Sequence, residues 1–190
     1  MSDTLPKDRP NPWRRVRRSI GYQNPWITVF HDEVIRPDGQ PGIYGVVHFK
    51  NLAIGILAVD SANRVLLVGQ YRYTLDAYSW EIPEGGCPEG EAPLAAAQRE
   101  LREETGCTAS QWRELGRYHL SNSVCDEHAI AYLATDLAEG RVDPDGTEDL
   151  DTLWVPFHDL VRYIDSGQIT DALTILAVRS YQSQLATLKT

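Results

Sequence analysis

The chain has 190 residues, a net charge of −9 and 24% charged side chains. That length fits one domain with a modest extension and a real core, and the acidic balance excludes a general nucleic-acid binder, which needs basic surface against phosphate. No apolar run is long enough for a membrane span or a secretory segment, and Cys87, Cys107 and Cys125 have neither zinc nor CxxC spacing, so reduced thiols in a cytoplasmic protein are expected.

Residues 1–18 carry Lys7, Arg9, Arg14, Arg15, Arg17 and Arg18 against Asp3 and Asp8, so the acidity lies in the rest of the chain. This stretch reads either as a solvated tail or as a basic element packed on an acidic body or a partner chain. From Trp26, WITVFHDEVI is rich in aromatic and β-branched residues and predicts a strand, ended by a turn at Asp38-Gly39. IYGVVHF (43–49) is the return strand. LAIGILAV (52–59) is a continuous apolar run, hence a buried strand, and RVLLVGQYRY (64–73) is the next. Tyr78 to Ile82 lead into a loop at Gly85-Gly86.

A helix follows. Pro93 suits its first turn, Ala95 to Ala97 favour it, and Gly106 is placed to end it. Strands are expected at Trp112–Leu120, Ala129–Thr135 and 152–157, with an acidic, turn-rich loop at Ala138–Asp149. Helical spacing recurs at Asp159–Asp165 and Asp171–Leu188. There is no internal repeat.

On the 93–105 helix, Glu100, Glu103 and Glu104 have the i, i+3, i+4 relation, so three carboxylates share one face. Such crowding is unfavourable unless a cation relieves it. Carboxylate oxygens are the ligands Mg²⁺ accepts while keeping waters for a phosphate substrate. The plain alternative is a solvated acidic face balanced by Arg99 and Arg102. The glycines framing this cluster favour the metal.

The stretch GGCPEGEAPLAAAQRELREETGC (85–107) has Gly85, then Glu91, then Arg99-Glu100, Glu103-Glu104 and Gly106 at fixed intervals. It resembles the Nudix box of hydrolases that cut nucleoside diphosphates linked to another moiety. Cys107 stands where that family usually has a larger aliphatic residue, a minor change because cysteine packs as a small hydrophobe. The resemblance implies an α/β fold, an α/β/α sandwich around a mixed sheet, here with an N-terminal antiparallel β extension. It implies Mg²⁺, with Mn²⁺ as a substitute, held by the backbone carbonyl of Glu84 and by Glu100, Glu103 and Glu104.

Around the box, QYR (70–72), WEIPEGG (80–86), SNSVCDE (121–127), TEDLD (147–151) and GQITDALT (167–174) follow the order of the ADP-ribose and nucleoside-diphosphate-sugar pyrophosphatases. The resemblance implies that Arg72 pairs with diphosphate oxygens, that Glu81 orients substrate or a metal water, and that Glu127 is a substrate-side carboxylate. Glu148 becomes the general base, with Glu103 or Glu127 as the other choices. Each has a structural alternative, an ion pair for Arg72 and Glu81 and a turn glutamate for Glu148.

Trp26 is expected either to stack on the base from an extension exchanged between two subunits, or to fill a core against 43–49. The division is then 1–42, an extension that forms a homodimer, and 43–190, the hydrolase domain. Residues 120–124 lack the proline usual in ADP-ribose-specific members, which widens the substrate to nucleoside diphosphate sugars generally. A small-molecule nucleotide sugar is the partner, with no nucleic acid and no membrane. The other readings are a non-catalytic nucleotide-sugar sensor, or hydrolysis of a different nucleoside diphosphate derivative.

Overall fold

In a computed structural model, described over residues 9–140 and 150–187, the chain forms two compact units. The first takes in the chain up to Lys50 together with Ser121–Asp126. It is an antiparallel sheet in the order β1 (Arg14–Gln23), β2 (Ile27–Ile35), β3 (Pro41–Phe49). The β2–β3 hairpin turns at Gly39, whose φ of 81° favours glycine, and the Asp38 carboxylate accepts the Gln40 N–H.

β1 is exposed along its length, and charged pairs join it to β2 beside the apolar pairs Ile20–Phe30 and Tyr22–Val29. Arg17 lies opposite Glu33 and Arg18 opposite Asp32, each joined by an ion pair, at 2.5 Å and 2.7 Å. Arg18 also lies over the Phe30 ring, 4.2 Å from its centroid. Cross-strand pairs of this kind contribute about 0.2–1 kcal/mol each. The basic segment is therefore a strand paired with β2 from Arg14 onward, exposed along its length. Trp26 is in a bend and not in a strand, because the Asn24 side-chain oxygen accepts the N–H groups of both Trp26 and Ile27 and delays β2.

The second unit holds Asn51–Leu120 and Glu127 onward. Its elements are β4 (Leu52–Ala58), β5 (Arg64–Arg72), β6 (Ala77–Glu81), β7 (Glu84–Cys87), α1 (Pro93–Thr105), β8 (Thr108–His119), β9 (His128–Ala138), β10 (Asp151–Pro156), α2 (Phe157–Asp165) and α3 (Ala172–Thr187). Two sheets run β7-β4-β9-β8 and β10-β5-β6. The first is mixed, because β4 and β9 are parallel while β7 and β8 pair antiparallel at its edges. The apolar run of β4 is buried on both faces, as a central parallel strand requires. Ile54, Ile56 and Ala58 pack with Ile130, Ala134 and the α1 residues Ala96, Ala97 and Leu101. Leu57 faces the other way, with Ala131, Leu133 and the α3 residues Leu173, Ala177 and Val178. One strand thus separates two cores, each covered by a helix.

α1 begins and ends as its sequence predicts, with Pro93 in the first turn and Gly106 left-handed at φ 71°, its N–H donating to Arg102 O. Glu84–Cys87, read from sequence as a loop, is a short strand paired with β4. Phe157 opens α2 and does not close β10. Leu101 is fully buried beneath α1. Leu101→Ala is expected to cost about 2–5 kcal/mol, measurable as a lowered midpoint in urea denaturation.

Candidate active site

The site is built where β7 and the loop before it meet α1. Gly85 pairs with Ile54 of β4, and the Glu100 carboxylate lies directly on its backbone. A Cβ at residue 85 would come 2.0–2.3 Å from the carboxylate atoms of Glu100, so only glycine permits the approach. One turn further, Glu104 is buried and its Oε2 accepts the Glu84 N–H at 3.1 Å. Glu100 and Glu104 therefore both reach the Glu84–Gly85 backbone.

Arg99 holds this arrangement together. Its guanidinium donates to both Glu91 oxygens at 3.1 Å and 2.9 Å, to Glu100 at 2.6 Å, to Glu103 at 3.0 Å and to the Gly86 carbonyl at 2.9 Å. Its pKa is raised, chiefly by the hydrogen bonds to Glu91 and then those to Glu100 and Glu103. Arg99 is a brace between the box's own glutamates and the glycine loop.

A second group of carboxylates acts on the Glu84 side chain. Arg72 donates Nε to Glu81 at 3.0 Å and pairs with it through Nη2. The Glu81 side chain is 4% exposed and that of Arg72 37%, so the carboxylate is fixed and the guanidinium stays partly open. Burial, then Asp171, push the Glu84 carboxyl well above the usual carboxylate range, with Arg72 opposing. Glu127 is raised by burial and then by Asp171. Asp171 accepts the Thr174 N–H at 2.6 Å at the start of α3.

The structure thus brings Arg72, Glu81, Glu84, Glu100, Glu103, Glu104 and Glu127 into the second unit. Trp26 belongs to the first unit, and at 67% exposure it does not fill a core there. Glu148 lies outside the described residues. Asp171 and Thr174 received no role from sequence, although they close the GQITDALT stretch. The available signal was an Asp three residues ahead of a Thr at a helix start, a capping pattern.

Among the described residues, no three His, Cys, Asp or Glu side chains already converge as a metal cage. The donors nevertheless fit a hard divalent cation. They are all oxygens, and they gather on a backbone segment where a Cβ would fill the space.

Residues 49–173 match the NUDIX domain family. The chain belongs to the Nudix family. Residues 13–47 also match the nucleoside diphosphate sugar hydrolase N-terminal domain. This Nudix chain is 36% identical to an ADP-ribose pyrophosphatase of Mycobacterium tuberculosis over 151 residues, covering 77% of this chain and 72% of that protein. It is 30% identical to an ADP-ribose pyrophosphatase of Bacillus subtilis over 158 residues, 82% and 85% of the two chains. A methanol dehydrogenase activator of Bacillus methanolicus is 32% identical over 157 residues, 82% and 84% of the two chains. A solved structure of an ADP compounds hydrolase shares the fold, with a TM-score of 0.85 over 96% of this chain and 98% of that one at 18% identity. Nudix hydrolases generally use divalent metal ions.

Because Gly85 lies under the Glu100 carboxylate, Gly85→Ala is expected to displace that side chain. Metal-dependent turnover by this Nudix chain should fall about a hundredfold, the scale of losing one key electrostatic group, while the far-UV circular dichroism stays unchanged.

Proposed function

We propose that this chain is a Mg²⁺-dependent pyrophosphatase of nucleoside diphosphate sugars or ADP-ribose. The products are a nucleoside monophosphate and a sugar phosphate. The observation that carries this reading is the seating of Glu100 and Glu104 on the Glu84–Gly85 backbone, braced by Arg99. The names of the similar proteins from Mycobacterium tuberculosis and Bacillus subtilis support the substrate class.

In this reading the Glu84 carbonyl, Glu100 and Glu104, with Glu103, would hold the cation. When bound, Mg²⁺ neutralises charge on the diphosphate and lowers the pKa of water, with Mn²⁺ as a substitute. Water attacks one phosphorus and the anhydride P–O bond breaks. Glu148 takes the water's proton as general base, and Glu103 or Glu127 is the other choice. Arg72, anchored by the buried Glu81, faces the diphosphate and stabilises the departing phosphate. Arg99 acts on the glutamates and not on substrate.

The extension, residues 1–42, serves the hydrolase domain of 43–190 by forming a homodimer in which Trp26 stacks on the base. Val34 is the one buried apolar side chain among the described residues of the first unit, while Val16, Ile20, Tyr22 and Ile43 are exposed. Such a sheet needs a covering surface. No described helix is long and apolar enough to cross a membrane. The protein is read as cytoplasmic, and its net charge of −9 favours a small-molecule partner over nucleic acid.

A panel of nucleoside diphosphate sugars with product identification tests the activity. Magnesium-dependent release of nucleoside monophosphate is expected from ADP-ribose and from at least one nucleoside diphosphate hexose, and Glu148→Gln should lower kcat far more than it changes KM. Binding without turnover in that panel would mark a sensor instead.

Deleting residues 1–42 is expected to yield a monomer or an insoluble chain with weakened substrate binding, followed by sedimentation velocity and KM. A soluble truncation with unchanged oligomeric state and KM would remove the segment from both roles.

A further inference from the structure

The backbone from Ile82 to Glu84, which carries the proposed metal-binding carbonyl, is fixed at three points. The Pro83 carbonyl accepts the Ile56 N–H at 2.9 Å, and the Glu84 N–H donates to Glu104 at 3.1 Å. The third point comes from the far end of the chain. The Ile82 N–H donates to the Thr174 hydroxyl at 3.0 Å, and the same hydroxyl reaches Glu84 Oε1 at 3.5 Å. Thr174 is completely buried.

Its place is itself constrained. Asp171 caps the turn through the Thr174 N–H. Leu173 packs so closely on Gly55 that an added Cβ would come within 2.9 Å of it. The first turn of α3 therefore has little freedom to move relative to β4. A hydroxyl that only satisfied a buried amide would have a structural role. This one also touches the side chain of the residue whose own N–H donates to Glu104 of α1, two residues beyond the amide it accepts.

We propose that Thr174 is a positioning residue for the metal-bearing loop. By accepting the Ile82 N–H and donating to the Glu84 carboxylate, it fixes the rotation of the Glu84–Gly85 peptide and so the direction of the Glu84 carbonyl. The inference rests on the reading of that carbonyl, Glu100 and Glu104 as cation ligands.

Mn²⁺ binding to the full chain, followed by electron paramagnetic resonance, tests it apart from turnover. Thr174→Val keeps the size and removes the hydroxyl. It is expected to weaken Mn²⁺ binding about tenfold and to lower kcat by a similar factor, while Thr174→Ser stays within about threefold of the parent. Val178→Ala, one turn further along the same helix and apolar, with no hydroxyl to offer the Ile82–Glu84 backbone, should lower the thermal midpoint without changing Mn²⁺ affinity. If Thr174→Val does not fold, Thr174→Ala against Thr174→Ser isolates the same hydroxyl.

Equal Mn²⁺ affinity in the parent and the hydroxyl-less variants overturns the inference. If the parent hydrolyses nothing in the panel yet loses Mn²⁺ affinity with the hydroxyl, the substrate reading fails and the positioning role stands. A parent that binds no Mn²⁺ at all overturns both.

Discussion

The arrangement depends on one close approach, that of the Glu100 carboxylate to the backbone of Gly85. A charged side chain can lie on a main-chain segment only if that segment has no Cβ and is held still. β7 supplies the first condition, with glycines at 85 and 86. The second comes from pairing with β4, itself locked between two cores by its parallel partner β9. The central strands therefore act as the fixed reference against which α1 presents its carboxylates. The brace from Arg99 to Gly86 and to three glutamates turns an acidic helix face into a defined geometry, where solvation alone would leave the side chains spread apart.

The charge balance of the site points the same way. Glu81 and Asp171 act on the Glu84 carboxyl and Asp171 on that of Glu127, while the α1 glutamates reach the Glu84–Gly85 backbone. Arg72 and Arg99 are the cations seen among them. Arg72 is shared between Glu81 and Glu84, and Arg99 among Glu91, Glu100 and Glu103, so two cations serve a larger number of carboxylates. The raised Glu84 carboxyl records that excess, because burial and a neighbouring carboxylate both disfavour its charged form. A divalent cation is what would make such a crowd of oxygens favourable, and an anionic diphosphate would then meet positive field in an otherwise acidic protein.

Much of this was legible in the sequence, for identifiable reasons. The helix from Pro93 to Gly106 is bounded by residues whose backbone preferences point to one outcome, and the spacing of Glu100, Glu103 and Glu104 places them on one face without tertiary information. β4 was legible because both its faces are apolar. β1 was not, since its pairing uses arginines against Glu33 and Asp32, a pattern visible only once the partner strand is known. β7 was hidden because two glycines in a short segment read as a loop until β4 gives them a ladder. Asp171 and Thr174 were missed as site residues because they act across roughly ninety residues of chain, and local spacing says nothing about that distance. Trp26 was displaced from its expected strand by the side chain of Asn24.

The first unit follows a different logic from the second. Beyond the backbone ladder, β1 and β2 are joined by ion pairs and a cation–π contact, interactions worth tenths to about one kcal/mol each near a surface. Ordering a residue's backbone costs about 1–2 kcal/mol. With Val34 as its only buried apolar side chain among the described residues, the sheet has no core of its own to offset that cost. Apolar surface outside the sheet is what would offset it. The exposed Val16, Ile20, Tyr22 and Ile43 offer the area for that, and a second copy of the chain is the partner that the proposed homodimer supplies. Cross-strand charge pairs Arg17 with Glu33 and Arg18 with Asp32 in the register of the sheet, and Trp26, at 67% exposure, is not used by its packing.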